Sequence, residues 1–137
     1  MSWAYTAAPA VGGDLLGPLD SATVQSVTRT ELSVSLTADT DDLEIPGLVD
    51  SAVVRLLPVG DSWSLSGLLP PDPDKTIAAT LLNPDPALSV VLRHNAGSAV
   101  GNRFLGPGQV DYTLAPQQAV QVLRDPADQV WRLQGAA

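Results

Sequence analysis

Leu32, Val34 and Leu36 alternate with Ser33, Ser35 and Thr37, the two-residue period of a strand with one face buried and one in water. The signature returns along the chain. Leu43 and Ile45 run into a Pro46-Gly47 turn, and Val53, Val54, Leu56 and Leu57 form a run closed by Pro58 and Gly60. Trp63, Leu65 and Leu68 follow, and residues 77–82 make a further run. Leu88, Val90 and Leu92 alternate with Ser89, Val91 and Arg93, and Val110, Tyr112 and Leu114 with Gln109, Asp111 and Thr113. Val120 and Val122 alternate with Gln121 and Leu123, and Val130, Trp131, Arg132 and Leu133 end the series. Turn chemistry separates the runs at Pro70-Pro71-Asp72-Pro73-Asp74, Asn83-Pro84-Asp85-Pro86 and Asn95-Ala96-Gly97-Ser98. Short strands at this spacing predict an all-β domain, a single antiparallel β-sandwich or jelly-roll-like barrel. Residues 116–124 also admit a helix with proline in its first turn, a weaker reading than the strand. Trp131, Phe104, Val90 and Leu92 fall at inward positions or at a turn plug and are expected in the core.

Residues 1–22 break the pattern. Pro9, Gly12, Gly13, Gly17 and Pro18 interrupt any period, while Trp3, Tyr5, Leu15, Leu16 and Leu19 supply scattered apolar side chains. The expected organisation is an extended arm over residues 1–22 and a β-domain over 23–137. Fully extended, about 20 residues reach roughly 65 Å. Large rings are costly to leave in water. The arm is therefore expected to order against a neighbouring subunit or a larger assembly, with those five residues as anchors.

Composition narrows the partners. The 137 residues carry 15 acidic and 7 basic side chains, a net charge of -8. Such a chain repels phosphate backbones and anionic lipid surfaces, which argues against nucleic-acid and membrane binding. No apolar stretch approaches the ~20 residues of a membrane helix. The first ten residues lack the basic start and apolar run of a signal peptide, so synthesis in a cytoplasm is expected. The absence of cysteine excludes disulfides and thiolate metal sites.

Candidate chemistry is sparse. His94 is the only histidine, and no nucleophile elbow or oxyanion signature accompanies it. Asp39, Asp41 and Asp42, and separately Asp72 and Asp74, are carboxylate clusters without the spacing of a calcium loop, and read as solvated loop charge. Neither Gly12-Gly13 nor Gly106-Pro107-Gly108 matches a phosphate-cradling loop. The segment from Gly101 to Gly108 reads as a rigid turn, with Arg103 tied to a nearby carboxylate or carbonyl and Phe104 plugging the core. No catalytic residue, cofactor or metal is expected, and the chain is expected not to be an enzyme.

An ordered series of segments resembles a β-domain recurrent in head-decoration and head- or tail-fibre proteins of tailed bacteriophages. It runs through Asp41-Asp42-Leu43-Glu44-Ile45-Pro46-Gly47, Val53-Val54-Arg55-Leu56, Leu65-Ser66-Gly67-Leu68 and Thr80-Leu81-Leu82-Asn83. Residues 88–93 follow, then 99–108 around Asn102-Arg103-Phe104, then 111–116, 120–125 and Trp131-Arg132-Leu133. The resemblance covers about two thirds of the chain and transfers no catalytic residue. It implies a β-sandwich or jelly-roll-like module that commonly forms homotrimers and takes part in a virion. A free-standing module this short suits a capsid decoration protein on the outer surface of the phage head, its partner the major capsid protein. The alternative is a small tail or fibre-tip module that binds a host receptor or glycan, which requires an exposed aromatic platform or a polar groove.

Overall fold

A computed structural model describes residues 29–134. The expected arm, with Trp3, Tyr5, Leu15, Leu16 and Leu19, lies outside the described residues. Among the described residues nine strands follow in chain order: β1 (Glu31–Leu36), β2 (Ala52–Pro58), β3 (Trp63–Leu65), β4 (Ile77–Asn83) and β5 (Val90–Leu92), then β6 (Phe104–Leu105), β7 (Tyr112–Leu114), β8 (Gln118–Asp125) and β9 (Val130–Gln134). Short 3-10 turns occupy Val100–Asn102 and Pro107–Gln109. The strands form a six-stranded sheet in the order β1-β2-β4-β8-β9-β6 and a three-stranded sheet in the order β3-β5-β7. The domain is all-β.

The expectation of antiparallel pairing needs correction, because both sheets are mixed. β1 with β2, β2 with β4, β3 with β5 and β6 with β9 pair in parallel. Only β4 with β8, β8 with β9 and β5 with β7 are antiparallel. The cause is the route of the chain. From β2 to β8, successive strands alternate between the two sheets, so many re-enter a sheet two strands later in the same direction. Residues 59–62 between β2 and β3 therefore form a corner between sheets rather than a hairpin turn. Alternation along a strand reports which face is buried, not which strand lies alongside.

Two smaller expectations also change. Val110 lies outside β7 and is 61% exposed, and Leu88 precedes β5 in the loop that Asn83 and Asp85 organise. Residues 118–125 are strand, not helix: β8 pairs with β4 over seven residues, from Ile77↔Arg124 to Asn83↔Gln118. That ladder satisfies backbone groups that a helix would have turned inward, and Pro116 falls in the preceding turn.

The inner faces of the two sheets share one apolar core. Val54, Leu56, Leu81 and Val122 come from the large sheet, and Leu65, Val90, Leu92 and Leu114 from the small one; all are fully buried. Each such side chain contributes ~1.5–3 kcal/mol relative to exposure. Phe104 and Trp131 are the two largest fully buried side chains among the described residues, and they sit opposite each other in the parallel pairing of β6 with β9. The Trp131 indole N–H donates to the Leu68 carbonyl at 3.0 Å, so the ring fills the core with its polar atom satisfied.

Replacing Trp131 removes both the packing and that donor. Trp131→Ala is expected to lower unfolding stability by about 3–5 kcal/mol, read as a drop in urea midpoint at unchanged slope. Trp131→Phe, which retains a ring, is expected to lose clearly less.

Candidate functional site

The segment Asn102-Arg103-Phe104 lies between the sheets and bonds to both. The carbonyls of Asn102, Arg103 and Phe104 accept N–H groups from Leu68 at 2.9 Å, Trp131 at 2.8 Å and Asn95 at 2.8 Å respectively. Successive carbonyls of extended chain point to opposite sides. Those of Asn102 and Phe104 therefore serve the ends of β3 and β5, while that of Arg103 serves β9. Bridges between Gly67 and Arg103 and between His94 and Phe104 extend the seam. Arg103 donates its Nε–H to the Ser98 carbonyl at 2.8 Å, holding the loop before it.

The backbone at this seam is so close that side chains are excluded. A Cβ at Gly67 would lie 2.1 Å from the Asn102 carbonyl oxygen, and one at Gly106 would lie 2.0 Å from that of Val110. Both contacts are with main chain, which has no flexible end to yield.

A polar lock flanks the seam. Asp42 accepts from the Ala99 N–H at 2.9 Å and from the Asn102 side-chain amide at 2.8 Å. Its own N–H donates to Ser98 Oγ at 2.8 Å. Behind it, buried Ser66 donates its hydroxyl to Asp41 and sits 2.6 Å from Ser98 Oγ. With the Ser66 proton committed to Asp41, Ser98 is the donor between the two hydroxyls. Asp42 takes a left-handed backbone, φ 48°, which aspartate tolerates better than most residues. The Asn102 amide, the Ala99 N–H and more weakly the Arg103 charge hold the Asp42 carboxyl below its ordinary value. Two loops far apart in sequence thus meet on the Asp42 carboxylate, and a third, at Ser66, joins them through Asp41 and Ser98.

A groove at this end, about 600 Å³, is lined by His94, Asn95, Leu105, Arg132 and residues 106–109, with Leu133 and Gln134 at its side. His94 Nδ1 accepts the Gly106 N–H at 3.0 Å, so that nitrogen carries no proton and Nε2 carries it. The His94 backbone N–H donates to Asp111 at 2.8 Å. Arg132 pairs with Asp128 across the β8–β9 turn. The groove contains one imidazole and one paired guanidinium, with no serine, threonine or carboxylate in its lining. It offers hydrogen bonds to a ligand but no nucleophile and no acid–base pair.

The remaining candidates are dispersed. Asp39 accepts from the Ser64 N–H of β3, 25 positions on, and Asp72 accepts from the Asp74 N–H, closing a local turn. Among the described residues no three His, Cys, Asp or Glu side chains converge as metal ligands, and no helix is long and apolar enough to cross a membrane. Trp63 is half-buried with its indole N–H on the Val59 carbonyl at 2.9 Å, and Tyr112 is also half-buried. With Trp131 in the core, the described tryptophans form no exposed aromatic platform. Two buried polar residues escaped the sequence reading. Asn83 donates its amide to the carbonyls of Leu88, Leu114 and Ala115. Arg124 is 2% exposed and donates to the carbonyls of Gly101 and Pro73. The strand pattern around Arg124 was the available signal, since it continues the inward series of Val120 and Val122.

No family model, curated protein or solved structure matches the chain.

A carboxyl held low in the folded state contributes stability that is present above its unfolded pKa and lost as pH falls through the folded value. Asp42 and Asp85, the latter held low by the N–H groups of Leu88 and Ala87, are both of this kind. Unfolding stability is therefore expected to fall as pH drops below about 3.8, the ordinary aspartate value. Asp42→Asn keeps the acceptor oxygen and the left-handed backbone but removes the charge. Urea titrations between pH 2 and 6 should show a shallower acid loss for Asp42→Asn than for the parent chain.

Proposed function

We propose that the chain is a structural protein of a tailed-bacteriophage particle, a capsid decoration protein bound to the outer surface of the head. The observation that carries this reading is the role of the segments behind the resemblance. Residues 41–47, 65–68, 99–108 and 131–133 meet at the seam and its polar lock, where they join two sheets. Asp42, Gly67, Asn102, Arg103, Phe104 and Trp131 are all consumed by backbone and core contacts. Residues spent this way serve a rigid module that works through its surface.

The two sheets around one core are read as a sandwich-like module that assembles as a homotrimer, with the major capsid protein as its lattice partner. The physical rationale is mass action: a ligand that binds only the expanded shell stabilises it in proportion to its affinity for that state. The net charge of -8 sets orientation and on-rate more than affinity. The groove beside His94 is the feature that a fibre-tip module would use, but its lining lacks the exposed ring on which sugars stack.

Quantitative mass spectrometry of purified particles tests the proposal. Decoration requires hundreds of copies per particle, and purified protein should bind expanded but not unexpanded heads. A few copies per particle would overturn the decoration reading in favour of a tail or fibre part. Absence from particles would overturn the virion reading altogether.

A further inference from the structure

We propose that the outer face of the six-stranded sheet is a docking surface for residues 1–28 of the same chain. The inference does not rest on the virion reading. It begins with β2 and β4, whose sequences AVVRLLP and IAATLLN are apolar on both faces. Their inward residues are in the core, and their outward residues Val53, Leu57, Ala78 and Leu82 are half-buried on the opposite face. Leu123 and Ala119 of β8 continue that patch through the pairings Ala78↔Leu123 and Leu82↔Ala119. Strands that carry apolar runs of this kind are covered on both sides in folded proteins, whereas a sheet face left to water alternates to polar residues.

The rest of this face follows the ordinary rule. At its margins stand Glu31, Ser33 and Ser35 of β1 and Arg132 and Gln134 of β9, all exposed. The apolar positions of this face thus lie mainly on the three central strands, where Thr80 and Gln121, paired with each other, and Arg55 stand among them and Asp125 ends β8. A face that mixes apolar side chains with a few polar ones has the composition of a contact surface.

Arg29 identifies the occupant. Two residues before β1, it lines two shallow hollows on this face, of about 90 and 340 Å³, together with Thr80 and Gln121. The chain at Arg29 therefore lies against this face. The 28 residues before Arg29 include Trp3, Tyr5, Leu15, Leu16 and Leu19, and their only charges are Asp14 and Asp20. Those two carboxylates complement Arg29 and Arg55 across the patch. Strands lie about 4.8 Å apart, so a segment of this length spans the three central strands many times over. Burial of its apolar side chains offsets the entropy of ordering it.

The cysteine-free chain permits a direct test by thiol labelling. Ala119→Cys places one thiol on the patch, and Thr113→Cys places one on the outward face of the small sheet as a folding control. Each is reacted with a maleimide in the full chain and in the full chain carrying L15D, L16D and L19D. The Ala119→Cys thiol should react at least tenfold faster when the three leucines are replaced, with Thr113→Cys changing less than twofold. Ala78→Cys serves as a second probe of the same patch if Ala119→Cys fails to fold. Equal rates in both backgrounds would overturn the proposal. Protection that rises with protein concentration would also overturn it, assigning the face to a second copy of the chain or to its neighbour's residues 1–28.

Discussion

Three consecutive carbonyls, those of Asn102, Arg103 and Phe104, receive N–H groups from three separate parts of the chain, and the two sheets are joined there. A strand edge must place its backbone groups somewhere, in water, in another strand or on a side chain. β6 is only two residues long, yet it gives β9 a parallel partner on one side and takes the ends of β3 and β5 on the other. This shared segment explains why Gly67 admits no Cβ, since it stands where its main chain passes the Asn102 carbonyl. It explains why Phe104 and Trp131 are opposed, because pairing β6 with β9 in parallel stacks their inward side chains at the sheet margin. It also explains the polar lock. The loop leading into Asn102 has no strand partner, and Asp42, Ser98 and Arg103 fix it instead.

The acidic balance acts at a different level. Among the described residues many carboxylates fix loops through main-chain N–H groups: Asp39, Asp42, Asp50, Asp85 and Asp125 all accept from backbone. Charge-assisted bonds of this type favour the ionised form. At Asp42 and Asp85 they hold the carboxyl below its ordinary value, so the loops these two close weaken together in acid. The same negative surface keeps like molecules apart in solution, so any assembly of this chain must gain its energy from apolar area and not from long-range attraction.

Strand positions and burial were legible in the sequence because each depends on side chains alone. The alternation through residues 32–36 and 120–123 corresponds to β1 and β8, the apolar runs at 53–57 and 77–82 correspond to β2 and β4, and the proline-rich breaks correspond to loops. Pairing direction was not legible. A hairpin turn and a corner between sheets use the same residues, and Gly60 with Asp61 fits either. The polar lock was also hidden, since Asp42 and Asn102 are 60 positions apart and neither belongs to a strand. The aspartates at 39–42 read as solvated charge, but Asp42 is a structural acceptor. Arg124 shows the opposite failure: an arginine in an inward strand position reads as an error in the pattern, until its donors are traced to the carbonyls of two loops at the end of the core.

Native-state hydrogen exchange tests the central claim most directly, that the Asn102–Phe104 seam is part of the cooperative core and not a local clasp. The N–H groups of Leu68, Asn95 and Trp131, which bond to the three carbonyls, should exchange only through global unfolding. Their exchange free energies should equal those of Leu81 and Val120 in the centre of the large sheet. Exchange of these three amides through a local opening, well below the global unfolding free energy, would contradict the account. The sheets would then be held by their core alone.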